Sequence, residues 1–157
     1  MKIVVVADTH KKFEIYNEVV EKNPADYYIH LGDGVNEFAD VAKSHPDKDF
    51  VFVKGECDFC NASAKQLLKV GKCRIFCAHG NEQNVTDGLG EIIAEAKTSD
   101  CNIILYGHTH VYKTDKVDGI YIMNPGSLGS PRGKNSPSFG ILEINEEGQV
   151  NMKIVAY

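Results

Sequence analysis

The stretch "KIVVVADTH", residues 2–10, decides how the rest of the chain is read. A continuous β-branched run with no polar alternation is what a strand covered on both faces looks like. The run breaks at Asp8 into a polar turn. The same pattern returns in "DYYIHLGDG" (26–34) and in "DFVFVKGECD" (49–58). After the first strand, Phe13, Tyr16, Val19 and Val20 recur at helical spacing and Pro24 follows them. A second, short helix is expected over 35–43. The first half of the chain therefore reads βαβαβ with parallel strands.

Downstream the pattern changes. "AKQLLKV" and "CRIFCAH" flank "GK" and read as a hairpin. Leu89, Ile92, Ile93 and Ala96 mark a helix, and "CNIILYGHTH" (101–110) is another apolar strand ending in a polar turn. "VYKTDKVDGIYIMNPGSLGS" and "SFGILEINEEGQVNMKIVAY" read as consecutive antiparallel strands with Gly-containing turns. The expectation is an α/β fold of two mixed sheets packed face to face with helices outside. The 157 residues suit one domain, 1–157, around one core. No repeat, low-complexity tract or linker interrupts them.

Composition removes several function classes. The formal charge is -5, the sequence pI is near 5.6, and the only arginines are Arg74 and Arg132. Broad nucleic-acid binding needs clustered Lys and Arg, which this chain lacks. The apolar run before Asp8 is too short for a signal-peptide core, and no run approaches the ~20 residues of a membrane span. Five cysteines without a secretory signal read as reduced thiols in the cytoplasm. There is no G-x-S-x-G, and "GSLGSPRG" lacks the Lys-Ser/Thr ending of a phosphate-cradling loop.

The polar residues gather where apolar strands end, which is where open α/β sheets bind ligands. Asp8 with His10, Asp33, Glu56, His79, and His108 with His110 are the candidates. Extended backbone would put both members of each i, i+2 pair on one side. Mixed carboxylate and imidazole donors suit Mn, Fe, Zn, Ni or Co better than Ca. Seven donors exceed one tetrahedral ion and suffice for two ions sharing a carboxylate. Taken singly, Asp-x-His also reads as a capping Asp beside a surface His, "GD" as a turn, and His79 as a satisfied strand-end residue.

"DTH", "LGD", "GECD", "AHG", "GHTH" and "NPGS", in that order, resemble the motifs of the calcineurin-like metallophosphoesterases, nearest to their small phosphodiesterase-like branch from bacteria and archaea. The resemblance runs from residue 3 to about 131. It implies a four-layer αββα sandwich with a dinuclear centre at its edge. Carried over by position, one metal takes Asp8, His10, Asp33 and His110; the other takes Asp33, residue 56, His79 and His108. It also implies metal-dependent hydrolysis of a phosphate ester, a diester foremost, by a hydroxide bridging two divalent ions, with manganese the leading metal. A small phosphate ester is the implied partner. Relatives in this branch are often oligomers, which leaves a homo-oligomer open. A eukaryotic retromer subunit of similar sequence serves as a protein-binding platform, so a catalytically weak scaffold is the alternative.

The chain departs from the resembled pattern at Glu56, where Asn is usual. With Asn, two divalent ions, two aspartates and a hydroxide leave one positive charge; an ionised Glu56 cancels it. The expectation is an intact but detuned site, with a Glu56 that swings away, or a plain turn residue, as alternatives. Cys57 stands where related phosphatases carry a leaving-group His. Cys57-x-x-Cys60 lacks a second nearby pair to make a zinc knuckle, which leaves a redox role as the other reading. Asp58, the last residue of the motif, would orient a ligand or the Cys57 loop. Asn124 and Ser127 would support the ligands by hydrogen bonds. Arg132 would meet a substrate phosphate or a surface acid, and Lys11 would charge the entrance. His30 reads as core and His45 as a solvated loop residue.

Overall fold

The computed structural model describes residues 1–157. β1 (Lys2–Val6), β2 (Tyr27–His30) and β3 (Phe50–Phe52) alternate with α1 (Phe13–Lys22) and α2 (Val35–Ser44). The hairpin of β4 (Lys65–Val70) and β5 (Cys73–Ala78) follows, then a 3-10 turn at Asn81–Gln83, α3 (Gly90–Thr98) and β6 (Ile103–Leu105). β7 (Lys113–Val117), β8 (Ile120–Asn124), β9 (Ser138–Ile144) and β10 (Val150–Ala156) complete the chain.

Two five-stranded sheets result, in the orders β10-β9-β1-β2-β3 and β4-β5-β6-β8-β7. β1 runs parallel to β2 and antiparallel to β9, so its apolar run is central and covered on both faces, as its lack of alternation predicts. Ile3, Val5 and Ala7 point to the inter-sheet core with Ile29, Ile75 and Leu105, all fully buried. Val4 and Val6 point the other way, onto Tyr16 and Val20 of α1 and Val41 of α2. Ile92 and Ala96 of α3 cover Phe76, Ile104 and Ile122 on the far face of the second sheet. The layers are helix, sheet, sheet, helix, the αββα order the sequence motifs imply. Truncating Ile29 or Leu105 to Ala in so dense a core would cost about 2–5 kcal/mol.

Two strands are shorter than their sequence runs suggest. β3 ends at Phe52, and Val53 makes one last bond to the His30 carbonyl before the chain turns at Gly55. β6 ends at Leu105, ahead of "GHTH". Tyr106 likewise makes one last bond to the Met123 carbonyl of β8, and only then do the chains leave their sheets, with Lys54 N–H bonding the Ser63 carbonyl and Gly107 N–H the His79 carbonyl. No helix is long and apolar enough to cross a membrane.

Candidate metal centre

The seven sequence candidates meet at one end of the sandwich. The first sheet supplies Asp8 and His10 after β1, Asp33 after β2 and Glu56 after β3; the second supplies His79 after β5, and His108 and His110 after β6. Backbone bonds lock these turns together. Asp8 N–H donates to the Gly32 carbonyl at 3.0 Å, His10 N–H to the Asp33 carbonyl at 3.2 Å, and Gly107 N–H to the His79 carbonyl at 2.9 Å.

The i, i+2 pairs are not extended, and although Asp8 and His10 still share one group, the expectation fails for His108 and His110. Asp8 (φ 54), His10 (φ 39), Asp33 (φ 58), His108 (φ 66) and His110 (φ 60) all lie in the left-handed region. They are five of the nine non-glycine residues there, so backbone strain concentrates on the candidate ligands. The twist sends the two histidines of "GHTH" apart. His110 joins Asp8, His10 and Asp33, while His108 joins Glu56 and His79. A third grouping, Asp33 with Glu56 and Cys57, links the two; within each grouping one donor atom per residue lies within 4.8 Å of the others.

In the first group His110 Nε2 stands 3.3 Å from both Asp8 Oδ1 and His10 Nε2. His10 Nε2 lies 4.0 Å from Asp8 Oδ1 and from Asp33 Oδ2. In the second, Glu56 Oε1 lies 3.3 Å from His108 Nδ1 although the Glu56 side chain is half exposed. Glu56 thus stands beside His108 and within the grouping that includes His79.

The hydrogen bonds orient the donors inward. His79 Nδ1 meets the Leu31 carbonyl at 2.7 Å and His110 Nδ1 meets the Ser130 carbonyl, so both Nδ1 atoms donate and each Nε2 faces the cluster. Asp8 Oδ2 accepts the His108 N–H at 3.2 Å. Asp8 Oδ1 and His79 Nε2 are buried with no hydrogen-bond partner at all. Buried orphan acceptors are expensive, and a divalent cation among oxygen and imidazole donors is what satisfies them. The residues present thus fit metal.

Charge follows the same geometry. Burial would raise the Asp33 carboxyl, but His79 and the Cys57 N–H, at 2.9 Å, hold it well below the usual range. Burial works against a charged His79, yet Asp33 and Asp8 outweigh it and raise the imidazole. His110 is raised by Asp8. Desolvation and the Asp33 carboxylate push the Cys57 thiol up to about 11, which keeps it protonated near neutrality.

Asp58 is a clamp. Its carboxylate accepts the N–H groups of Asp33 and Gly55 at 2.8 Å and of Gly34 and Val35 at 2.9 Å. It caps α2, whose own N-cap Gly34 has no side chain to do so, and ties the Glu56 turn to the Asp33 turn. A Cβ on Gly55 would lie 2.1 Å from Asp33 Oδ1, so only glycine permits this approach.

Asn124 donates to the Gly107 carbonyl at 2.8 Å and to Thr109 Oγ1 at 3.0 Å, holding the "GHTH" turn. Ser127 Oγ donates to the Asp8 carbonyl at 2.7 Å. Both support ligand-bearing backbone rather than ligand side chains. Arg132 is exposed and makes no ion pair; Lys11 is exposed on a cleft of about 320 Å³ that it shares with His10, Asp33, Asn36 and Cys57. All five cysteines are free thiols. His30 is core, as expected; His45 is half-buried and bonds Asn17 Oδ1 at 2.9 Å, so it is more tied down than a solvated loop residue. Sequence reasoning missed Thr9 and Glu37, both buried beside the ligands. Thr9 stood inside the quoted "DTH", and Glu37 fell on the expected helix with no periodic signal to single it out.

The calcineurin-like phosphoesterase superfamily domain matches residues 1–147. A probable metallophosphoesterase of Mycoplasma genitalium is 26% identical over 162 residues, covering 100% of this chain and 96% of that protein. The Escherichia coli phosphodiesterase YfcE is 26% identical over 168 residues, covering 91% and 88%. Among solved structures, an uncharacterised Streptococcus pneumoniae protein described as a predicted phosphoesterase superposes with a TM-score of 0.82 at 23% identity, over 99% and 97% of the two chains. Vps29 of Entamoeba histolytica, solved with zinc, superposes with a TM-score of 0.79 at 22% identity, over 99% and 98%.

Proposed function

The chain belongs to the calcineurin-like phosphoesterase superfamily, and we propose that it is a cytoplasmic, single-domain phosphodiesterase that works with two divalent cations, manganese foremost. Asp8, His10, Asp33 and His110 would hold one cation; Asp33, Glu56, His79 and His108 would hold the other. The observation that carries this reading is the pair of orphan buried acceptors, Asp8 Oδ1 and His79 Nε2, 3.9 Å apart inside the ligand ring. When bound, the cations supply Lewis-acid activation of water and of the phosphoryl oxygens.

The chain's own residues do the rest. His79 and His110, anchored at Nδ1, keep Nε2 aimed at the centre. Asp58 fixes the Asp33 and Glu56 turns against each other. The cleft beside α2 receives the ester, with the Lys11 ammonium at its mouth. Glu56 adds a negative charge beside the phosphate, which repels a dianionic monoester more than a monoanionic diester. Cys57 Sγ keeps its proton near neutrality and is a weak donor, so alcohols that leave without protonation are favoured.

The test is metal content followed by hydrolysis of chromogenic mono- and diesters with manganese, in wild type and Asp33→Ala. Two equivalents of metal and diester hydrolysis lost in the variant are expected. Full occupancy with no hydrolysis of any phosphate ester would move the reading to a protein-binding module.

A further inference from the structure

Beneath the ligand turns runs a chain of hydrogen bonds to which no ligand side chain belongs. His30 on β2 is fully buried. Its Nδ1 lies 3.1 Å from the Gly32 N–H, which can only donate, so Nδ1 accepts and the ring proton of the neutral imidazole sits on Nε2. Nε2 then donates to Thr9 Oγ1 at 3.1 Å, and Thr9 Oγ1 in turn donates to Glu37 Oε1 at 3.2 Å. Glu37 Oε1 also accepts the Lys11 N–H. Each link has its direction set by the one before it, from Gly32 on the β2 turn to Glu37 on α2. Burial favours the neutral imidazole that this direction needs.

The backbone residues this chain grips surround the first ligand group. Thr9 lies between Asp8 and His10, Lys11 follows His10, and Gly32 precedes Asp33. Those three ligands have left-handed backbone, which nothing in their own local sequence enforces. The chain fills its space closely. Gly34 has extended φ, yet a Cβ there would lie 1.9 Å from Thr9 Oγ1 and 2.8 Å from His30 Nε2. Thr9 and His30 are wholly buried and cannot touch substrate; Glu37, 7% exposed, lies on the cleft floor.

The geometry points to His30, Thr9 and Glu37 as positioning residues for the cation site: they set the Asp8–His10 turn against the Asp33 turn, and with it the affinity and symmetry of the first ion's ligand set. This rests on the metal-centre reading above. A partner this close behind a ligand typically changes metal affinity by about 10–100-fold when lost.

The experiment titrates chelator-stripped protein with Co(II), following the visible d–d absorption, in wild type, Thr9→Val and Thr9→Ser, with thermal unfolding of each alongside. Thr9→Val keeps the side-chain shape and removes the hydroxyl. It is expected to bind the first equivalent about 10–100-fold more weakly with a shifted band, while Thr9→Ser stays within about threefold and keeps the wild-type spectrum. A merely structural role would lower the unfolding temperature and leave the spectrum of the folded protein unchanged, which would overturn the assignment, as would wild-type affinity in Thr9→Val. Should Thr9→Val not fold, Glu37→Leu asks the same question from the other end, with the same two outcomes. A wild type that takes up no cobalt would overturn this inference together with the metal-centre reading; a wild type that binds while Thr9→Val is unaffected overturns this inference alone.

Discussion

His79 Nε2 stands 3.5 Å from Asp33 Oδ2 with no hydrogen bond to satisfy it. Because Nδ1 is committed to the Leu31 carbonyl, a neutral His79 turns its lone pair toward two carboxylates. Something positive belongs between them, either a proton or a metal ion. Without metal, Asp33 and Asp8 raise the His79 imidazole against burial, and Asp8 raises that of His110.

The sign of the pH dependence follows. A folded-state imidazole raised above its ordinary value of 6.5 stabilises the ion-free protein fully below about pH 6.5, and that contribution is lost as pH climbs through the raised value. Metal displaces those protons, so its stabilising effect should grow with pH. The gain in unfolding temperature on adding manganese to chelator-treated protein is expected to rise steadily between about pH 6 and 8. A gain that does not vary with pH would contradict the arrangement.

Glu56→Asn removes a negative charge from the centre. Turnover of a chromogenic diester should rise about threefold to tenfold, on the order of 1 kcal/mol of barrier, while metal is retained less tightly. Steady-state kinetics at saturating manganese decides it. Lower or unchanged turnover with full metal loading would count against a detuning role for Glu56.

Asp58→Ala leaves four backbone N–H groups without their shared acceptor. Urea unfolding should show a loss of about 2–3 kcal/mol, given the worth of hydrogen bonds to a charged group. Hydrogen exchange should speed up at Asp33, Gly34, Val35 and Gly55 and not in the inter-sheet core. Protection unchanged at those four amides would show that water replaces the clamp.

Burial pushes the His30 imidazole down from its ordinary 6.5 to about 3, against the pull of the Asp58 and Asp33 carboxylates and with the help of His79 and His10. The unfolded chain therefore binds a proton that the folded chain refuses, and stability drains away as pH falls from about 6.5 toward about 3. His30→Asn keeps an acceptor and a donor without the titration. Its stability curve should be flatter over that window by a few kcal/mol, measured by urea unfolding of ion-free protein. A curve parallel to wild type would mean that another group carries the acid sensitivity.

What could be read from residues alone was what depends on local pattern. β1 and the α1 stripe follow from unbroken β-branching and helical spacing, and the ligand identities follow from polar residues stranded after apolar runs. The left-handed twist at His108 and His110 was not legible, since those residues adopt it to meet ligands from two different sheets. The Thr9–Glu37 bond spans 28 residues of sequence, and the four contacts of Asp58 join two turns from different strands. Such contacts exist only once the layers have packed, so no local propensity announces them.

The placement of β1 between β2 and β9 also bears on how the protein is made. Synthesis runs from the N-terminus, and β9 spans Ser138–Ile144, so the apolar β1 emerges long before its antiparallel neighbour exists. A nascent chain halted ahead of Ser138 would present a bare hydrophobic strand edge to other chains, the kind of surface that chaperones bind and aggregates grow from.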